Sequence, residues 1–383
     1  MISDTDQSAG TGIVMLNLGG PQTLADVEPF LQRLFADREL LRLPWQSVLG
    51  EIIARRRAPR VTKLYAAIGG GSPIRRWTEA QGRGMCERLD ALSPETAPHH
   101  FYISFRYVAP FADDAVLAMA RDGITRAVAF TQYPQWSCTT TGSSLNELQR
   151  ALVRTGLQDR FDWSVIDRWH LHDGFIDSMA QVTREALANV PASERNDALI
   201  LFSAHSLPLS VIDRGDAYPA EVAASVAAVM QRLQLPNAHQ LSFQSDVGPV
   251  RWLGPSTEVT LRQLGARGQR TVIVVPIAFT SDHIETLSEL DIEYAHVAKT
   301  AGVTDFVRAA ALNDAPVFLD ALSDLVASHL GGDLPTTANY RQRCPGCTNA
   351  ACRPTFSGTR TVPTRTTDSA QRSTRRDMAE LTA

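Results

Sequence analysis

Short apolar runs alternate with longer segments of helical periodicity along most of the chain. The runs are rich in β-branched residues, and their apolar positions are continuous rather than alternating. Such runs are typical of strands in a parallel sheet that helices cover on both faces. The predicted strands are 12–18, 101–105, 126–132, 162–167, 198–203, 240–244, 271–279 and a weaker one at 303–307.

The spacing of these strands predicts an α/β protein with two similar Rossmann-like halves, each a four-stranded parallel sheet flanked by helices. Each half opens with a strong strand that ends in a loop of small residues, LNLGGP at 16–21 and SAHSLP at 203–208. Ligands of such sheets bind at the carboxyl ends of the strands, so we expect a cleft between the halves. The predicted units are a disordered N-terminus (1–11), two α/β domains (12–170 and 171–335), an extension (336–353) and a disordered tail (354–383).

Composition narrows the class of protein without identifying it. The 383 residues are 44% apolar and 20% charged, with a formal net charge of −4. A dedicated nucleic-acid binder normally shows a basic surplus, so no nucleic-acid partner is expected. The start of the chain lacks the features of a signal or transit peptide, and no stretch has the roughly 20 apolar residues of a membrane span. These observations predict a cytoplasmic protein.

One segment interrupts the alternation of strands and helices. Residues 40–60 (LLRLPWQSVLGEIIARRRAPR) are apolar around Trp45 and then strongly basic. One interpretation is an amphipathic helix followed by a solvated run of charge. The other is an exposed lip on a pocket for an apolar, acidic ligand, which also allows peripheral contact with the inner face of a membrane.

A row of carboxylates follows the strongest strand of the second half. Glu285, Glu289 and Glu293 are spaced four residues apart, which places them along one face of a helix. Like charges at this spacing repel, and a solvated helix face is the ordinary explanation. The position at a strand end, next to Asp282 and His283, favours a functional row that relays protons or guides a divalent cation.

His205 is the second candidate for chemistry, because it also lies just beyond a strong strand. A lone histidine is more often structural. If the two halves face one cleft, however, His205 and Glu285 both reach it, and one histidine opposite one glutamate can bind a metal weakly or act as an acid–base pair. An open site of this kind suits transfer of a metal rather than its retention.

The cysteines give a more specific signal. The chain has five, of which Cys344, Cys347 and Cys352 form C-x2-C-x4-C. Three thiolates need a fourth ligand for a tetrahedral site or an iron–sulfur cluster, and Cys138 is the best remaining candidate. Cys86 lies in a helical pattern and is expected to be a core thiol. Spacing alone makes structural zinc at least as good an interpretation as an iron–sulfur cluster.

Eight segments resemble the ferrochelatases, the family that completes haem synthesis, and most closely its branch with an iron–sulfur cluster. The last segment is long and specific, and the resemblance runs from about residue 12 to residue 352. The segments are LNLGGP (16–21), GGGSPI (69–74), FRYV (105–108), YPQWSCTTTGSSL (133–145), SAHSLP (203–208), RGD (214–216), WLGP (252–255) and PIAFTSDHIETLSELDIEY (276–294).

The resemblance implies a chelatase-type fold and an enzyme, a lyase that inserts Fe2+ into protoporphyrin IX. It implies that His205 and Glu285 are the catalytic, metal-facing pair. Asp282 and His283 are expected to be catalytic with them, and Glu289 and Glu293 to form the path for protons or metal. His172 and Asp324 resemble a second iron route, although the local pattern WHLHD at 169–173 departs from the relatives.

The resemblance also implies substrate contacts, a cofactor and partners. Expected substrate-binding residues are Leu18, Arg56, Arg57, Tyr65, Ser72, Arg106, Tyr107, Trp252 and Phe279. Leu18 stands where relatives often have Met. Expected ligands of a 2Fe-2S cluster, with structural Zn2+ as the alternative, are Cys138, Cys344, Cys347 and Cys352. The resemblance further implies a homodimer. Two other functions stay open: a coproporphyrin-type chelatase and a porphyrin- or haem-binding module with little turnover.

Overall fold

The computed structural model describes residues 10–40, 43–248 and 250–332. The predicted strands are all present in this part of the chain. They are β1 (Thr11–Asn17), β2 (His99–Phe105), β3 (Arg126–Thr131), β4 (Asp162–Ile166), β5 (Leu199–His205), β6 (His239–Gln244), β7 (Thr271–Pro276) and β8 (Asp305–Arg308). The central strands β1 and β7 are buried along their whole length, as continuous apolar runs predict.

The two sheets have the same topology, which confirms the predicted fold. The strand orders are β2-β1-β3-β4 and β6-β5-β7-β8, and the described strand pairs within both sheets are parallel. The first strand of each half therefore lies at the second position of its sheet, with the third strand beside it. This equivalence supports the predicted structural duplication.

Helices connect the strands and cover the sheets. The helices are α1 (Val27–Ala36), α2 (Gln46–Ala67), α3 (Ile74–Leu92), α4 (Ala112–Arg121), α5 (Ser143–Thr155), α6 (Asp173–Ala188), α7 (Leu209–Ile212), α8 (Tyr218–Leu233), α9 (Thr257–Ala266), α10 (Ala295–Ala301) and α11 (Pro316–Leu330). Single 3-10 turns lie at Leu24–Asp26 and Pro94–Thr96. No helix in the described ranges is long and apolar enough to cross a membrane.

The segment that carries the acidic row is helical, as the spacing indicated, and its helix is a π-helix, Glu285–Tyr294. A second, shorter π-helix spans Cys138–Gly142. A π-helix closes i→i+5 hydrogen bonds and is wider than an α-helix, so residues four apart still lie near one face. The i, i+4, i+8 pattern is compatible with both helices, and the pattern alone did not distinguish them.

Most strand ends differ from the prediction by one to three residues, and two of these differences lie next to the candidate site. β5 continues to His205, whose backbone pairs with Gln244 of β6, so the histidine is the last residue of the strand rather than part of a loop. β7 ends at Pro276, short of the predicted residue 279. The backbone N–H of Ile277 still donates to the carbonyl of Ser203 at 3.1 Å, and the regular pairing ends there.

One hydrophobic core runs through both halves. It contains Ile13 and Phe130 of the first sheet together with Phe202 and Val275 of the second. Helix α11 packs on α3, where the Cβ that an alanine would place at Gly84 meets the side chain of Leu319 at 2.6 Å. The predicted boundary between the domains at residue 170 stays a prediction. The predictions for residues 1–9 and 333–383, including those for Cys344, Cys347 and Cys352, lie outside the described residues.

Candidate active site

The structure brings His205, Glu285 and His283 together at the carboxyl ends of β5 and β7. Nε2 of His205 lies 3.5 Å from Oε1 of Glu285, and Nε2 of His283 lies 3.6 Å from Oε2 of the same carboxylate. The other ring nitrogen of each histidine faces a backbone carbonyl, that of Ser206 for His205 and that of Ser281, at 2.9 Å, for His283. One carboxylate therefore lies between two imidazoles whose orientations the backbone determines.

The electrostatics of this cluster favour a charged Glu285. Burial by itself raises the pKa of Glu285, but the positive charge available on His205 and the hydrogen bond from His283 outweigh it, and the pKa falls below its usual value. Burial lowers the pKa of His283, whereas the contact with Glu285 raises it, and the net pKa is raised. The raised pKa of His283 favours its protonated form beside the Glu285 carboxylate.

Two buried tyrosines border the same carboxylate. The pKa values of Tyr65 and Tyr218 are both raised. Burial is the main cause for each tyrosine, and the negative charge of Glu285 is the second. Tyr65 comes from α2 in the first half, and Tyr218 opens α8 in the second. Ile284 also packs against the apolar cluster that holds Tyr65. The cluster around Glu285 thus lies where the two halves meet.

Glu289 is held by four donors. Gln244 donates to Oε2 at 2.9 Å, the backbone N–H of Ser245 donates to Oε1 at 2.8 Å, and the Tyr294 hydroxyl donates to Oε1 at 2.9 Å. The hydroxyl of Ser245 is the fourth donor. Burial and the charge of Glu285 raise the pKa of Glu289 despite these hydrogen bonds. Neighbouring acids with unequal pKa values are suited to pass a proton between them.

Glu293 and Asp282 differ from the other acidic residues. Glu293 lies further along the π-helix and is half-buried. Asp282 is occupied by neighbours, because it accepts from Asn313 at 2.9 Å and Thr286 at 2.9 Å and pairs with Arg308 at 3.3 Å. The contacts of Asp282 make it a residue that positions the segment around His283. Its expected catalytic role stays a prediction.

His172 and Asp324 lie close together, as the resemblance implied. Nε2 of His172 is 3.3 Å from Oδ2 of Asp324, whose side chain is 70% exposed. Burial lowers the pKa of His172, although Asp324 opposes this effect. Nδ1 of His172 is buried and has no hydrogen-bond partner within the described ranges. The pair is an exposed carboxylate with a mostly neutral imidazole beneath it, and its role as an iron route stays a prediction.

Arg106 and Tyr107 bind a carboxylate of the protein. The guanidinium of Arg106 pairs with Asp37 and lies 3.2 Å from Glu147, while the Tyr107 hydroxyl donates to Asp37 at 2.8 Å. Tyr107 is 2% exposed. Asp37 lies in the loop between α1 and α2, and Glu147 lies in α5. Since Arg106 pairs with both carboxylates, it joins this loop to α5. Their expected contact with substrate stays a prediction, and sequence reasoning missed Asp37.

The other expected substrate contacts are spread over both halves. Leu18 follows β1 and packs on the apolar cluster that contains Tyr65. Ser72 is buried, and the guanidinium of Arg57 lies 5.7 Å from the centre of the Phe35 ring. Arg56 is exposed. In the second half, Phe279 meets the ring of His283 edge-on at 4.7 Å, and the half-buried Trp252 donates from Nε1 to the carbonyl of Val247 at 2.8 Å.

Helix α2 exposes an apolar stripe near its start. Trp45 is 80% exposed, Val48 58% and Ile52 40%. The same side of the helix continues with the exposed cations Arg56 and Arg60. An exposed apolar stripe followed by cations is compatible with both interpretations of residues 40–60, and the lip stays a prediction.

Cys138 is half-buried at the start of the π-helix Cys138–Gly142. Its backbone N–H donates to Asp216 at 2.8 Å, and Asp216 also accepts from Ser137. Cys86 is buried, and burial raises the pKa of its thiol to about 12, as expected for a core cysteine. Within the ranges that the structure describes, no group of three or more histidine, cysteine or acidic side chains is arranged to hold a metal ion.

The site uses residues that sequence reasoning did not single out. Tyr218, Gln244, Ser245 and Asn313 all contact or border the acidic residues. Gln244 is the last residue of the predicted strand 240–244 and Ser245 follows it, so a strand end was the signal that could have drawn attention to them. Nothing local in the sequence indicates Tyr218 or Asn313.

Comparison with known proteins identifies the relatives of this chain. The ferrochelatase family model matches residues 10–330. The mitochondrial ferrochelatase of Xenopus laevis is 53% identical over 343 residues, which cover 89% of this chain and 84% of that protein. That of Homo sapiens is 52% identical over 348 residues, covering 91% of this chain and 82% of the human protein. A solved structure of SirB from Bacillus subtilis with Fe3+ is 13% identical with a TM-score of 0.47, covering 69% of this chain and 92% of SirB.

The expectation of a cytoplasmic protein is wrong. The relatives from Xenopus laevis, Homo sapiens and Schizosaccharomyces pombe are each named mitochondrial. The expectation rested on composition and on the absence of a recognisable leader, and neither property determines the compartment.

The family model extends over most of the described sequence, and the relatives are about half identical over nine-tenths of the chain. The predicted chelatase-type fold, with two equivalent parallel sheets, agrees with this relationship. The chain belongs to the ferrochelatase family.

Proposed function

We propose that this protein is a ferrochelatase, which inserts Fe2+ into protoporphyrin IX and releases protohaem and two protons. The observation that carries the proposal is Glu285 between His205 and His283, at 3.5 and 3.6 Å. Family membership supplies the class of reaction, and these three side chains supply an acid–base group beside a carboxylate.

The reaction requires ring distortion and proton removal. A flat porphyrin directs its nitrogen lone pairs into the ring plane, and two of its nitrogens carry protons. Iron enters only when the ring is bent and those protons leave. A binding site that is complementary to the bent ring lowers the barrier by differential binding. Tyr65 and Leu18 lie in one apolar cluster next to Ile284, and the half-buried Leu18 is suited to contact a face of the bent ring.

His205 is the group that accepts the protons. Its Nδ1 faces the carbonyl of Ser206, so Nδ1 carries the hydrogen and Nε2 has the free lone pair. When Nε2 takes a proton from a pyrrole, the carboxylate of Glu285 stabilises the new imidazolium. The proton then leaves through Glu285 and Glu289, whose raised pKa makes it the better acceptor of the two.

The account is tested by anaerobic incubation of the protein with Fe2+ and each of two porphyrins. Protoporphyrin IX is expected to be the preferred substrate, and coproporphyrin the poorer one. Turnover of coproporphyrin alone would favour a coproporphyrin-type chelatase. Tight binding of porphyrin without metal insertion would favour a binding module. Either outcome would replace the proposed function.

We propose further that Cys138, Cys344, Cys347 and Cys352 hold a 2Fe-2S cluster. Cys138 fits this role because its thiol is half-buried on a segment that Asp216 fixes through the backbone. When bound, such a cluster ties the C-terminal extension to the first half. The purified protein should be reddish-brown and should lose its visible absorption in Cys344→Ser. A colourless protein that holds stoichiometric zinc would support the structural-zinc alternative.

Helix α2 is proposed to contact a membrane peripherally. Its exposed residues Trp45, Val48 and Ile52 can enter the interface, while Arg56 and Arg60 face anionic headgroups. Sedimentation with vesicles that contain anionic lipid should fall in Trp45→Ser. The matched control is Leu117→Ser, an exposed apolar residue on α4. The homodimer implied by the resemblance stays a prediction.

A further inference from the structure

A buried glutamine of the first half reaches the segment that carries the histidine and carboxylate of the second. Gln81 is 1% exposed in the middle of α3. Its Nε2 donates to the carbonyl of Asn313 at 2.8 Å and to that of Thr280 at 3.2 Å. Thr280 precedes Asp282 and His283 in the segment after β7. One amide group thus joins the two chain segments next to the site.

Asn313 passes this contact on to Asp282. Its side-chain oxygen accepts the Asp282 N–H at 2.8 Å, and its side-chain amide donates to Oδ2 of Asp282 at 2.9 Å. Asn313 has a φ of 44°, which non-glycine residues rarely adopt. A backbone conformation with positive φ is retained when surrounding contacts fix it. Here the hydrogen bond from Gln81 to the Asn313 carbonyl and the two hydrogen bonds between Asn313 and Asp282 fix it.

Asp282 in turn orients the start of the π-helix. Oδ1 of Asp282 accepts from the hydroxyl of Thr286 at 2.9 Å, and that hydroxyl accepts the backbone N–H of His283 at 3.0 Å. Glu285 lies between His283 and Thr286 in the sequence. Hydrogen bonds of 2.8–3.0 Å therefore connect Gln81 to the backbone N–H of His283, through the residue Asn313 and the side chains of Asp282 and Thr286.

The helix that carries Gln81 is itself fixed against the second half. Three further positions on the same face of α3 contact α11: Gly84 meets Leu319, the carbonyl of Met85 accepts from Ser323 at 3.2 Å, and Arg88 pairs with Asp320 at 2.6 Å. Close packing at Gly84 leaves no room for α3 to slide. The amide of Gln81, one turn away, has a defined position relative to Asn313.

We infer that Gln81 is a positioning residue for the His283–Glu285 pair, acting through Asn313 and Asp282. This inference rests on the proposed function. Misplacement of a reacting group by about 1 Å can cost on the order of 100-fold in rate, even when the changed residue lies away from the chemistry. Loss of the Gln81 amide should therefore lower kcat for protohaem formation by about 10–100-fold, with little change in KM for porphyrin.

The test compares Gln81→Leu with a matched control. Gln135 is also 1% exposed and also crosses between the halves, since its amide donates to Ser225 at 3.1 Å and to the Ile277 carbonyl at 3.4 Å. Both leucine variants lose one bridging amide, so a general loosening of the interface affects both. The inference expects the kcat loss in Gln81→Leu and nearly full kcat in Gln135→Leu. Equal losses in the two variants would overturn it.

A double-mutant cycle tests the proposed path. Asn313→Gly keeps the backbone conformation but removes the side chain that holds Asp282. If Gln81 acts through Asn313, Gln81→Leu should lower kcat much less in the Asn313→Gly protein than in the unchanged protein. Multiplicative losses would show independent effects and overturn the path. If Gln81→Leu does not fold, Asn313→Gly alone tests the path, because it should show the same loss of kcat.

A structural readout separates this inference from the proposed function. Amide hydrogen exchange of a peptide that spans 280–286 should be faster in Gln81→Leu than in Gln135→Leu, whatever the enzyme's substrate. If the unchanged protein makes no protohaem, the proposed function fails, and the exchange result still decides whether Gln81 holds the segment. If the unchanged protein turns over and Gln81→Leu matches it in kcat and exchange, only the inference fails.

Discussion

Nε2 of His205 faces Oε1 of Glu285 across 3.5 Å, although the two residues come from different strand ends. His205 is the last residue of β5, and Glu285 is the first residue of the π-helix that follows β7. Strands β5 and β7 are neighbours in the second sheet, which brings their carboxyl ends together. The parallel sheet therefore brings the two chain segments together, and the connection between Pro276 and Glu285 places the carboxylate opposite His205.

Glu285→Gln should reduce kcat by about 100- to 10,000-fold, the usual contribution of a positioned acid–base group. The amide keeps the shape of the side chain but cannot stabilise a protonated His205. Steady-state kinetics under anaerobic conditions measure the effect. Glu258→Gln, an exposed carboxylate on α9, is the control and should retain full kcat. A Glu285→Gln protein with normal kcat would contradict the mechanism.

The His283–Glu285 pair should stabilise the fold most in weakly acidic solution. The pKa of Glu285 is lowered from 4.5, so its contribution is present above that value and is lost as the pH falls through the folded pKa. The pKa of His283 is raised from 6.5, so its contribution is present below that value and is lost as the pH rises through the folded pKa. The two contributions overlap between about 4.5 and 6.5.

Thermal unfolding of the unchanged protein and of His283→Gln across this range measures that contribution. The difference in Tm between the two proteins should be largest between the two ordinary pKa values and should shrink on both sides. A difference in Tm that does not depend on pH would contradict the assignment of charge to this pair.

Ser245→Ala should change the pH dependence of proton removal without unfolding the protein. The variant loses the hydroxyl that donates to Glu289 and keeps the backbone N–H that donates at 2.8 Å. A carboxylate with fewer donors holds its proton more tightly, so the pKa of Glu289 should rise further. The limb of the kcat–pH profile that reports this group should move to higher pH. An unchanged profile would mean that Glu289 takes no part in proton transfer.

Asp37→Ala should destabilise the protein by about 1.5–3 kcal/mol, because it removes a buried charged partner of Arg106, whose guanidinium keeps its 3.2 Å contact with Glu147. Arg106 and Asp37 are each about one-tenth exposed at the side chain. Chemical unfolding measures the loss. Glu51→Ala breaks the exposed pair with Arg55 and should change stability by about 0–1 kcal/mol. Comparable losses in the two variants would show that the Asp37 contact is not a stabilising buried pair.

The strands could be predicted from the sequence because burial on both faces of a sheet produces a continuous apolar run in each strand. Strand β7, for example, reads TVIVVP and is buried at every position. The general location of His205 and Glu285 followed from the same strands, because sites of parallel sheets form at the carboxyl ends. The type of the helix over Glu285–Tyr294 did not follow, since residues four apart share a face in α- and π-helices alike.

Local sequence patterns could not predict the contacts between distant segments of the chain. Arg106 and Asp37 are 69 residues apart, and Gln81 and Asn313 are 232 residues apart. Neither Asp37 nor Asn313 stands in a motif with chemical meaning of its own, and each acquires its role from the partner that folding brings to it. A single sequence shows which residues can form such pairs but not which ones meet.

The most direct test is the single-turnover rate of protohaem formation from Fe2+ and protoporphyrin IX in the absence of oxygen. The account predicts product with the unchanged protein and with His296→Ala, an exposed histidine of α10. It predicts a rate lower by about 100-fold or more in His205→Ala and in Glu285→Ala. No protohaem from the unchanged protein, or full rates in both His205→Ala and Glu285→Ala, would contradict the account.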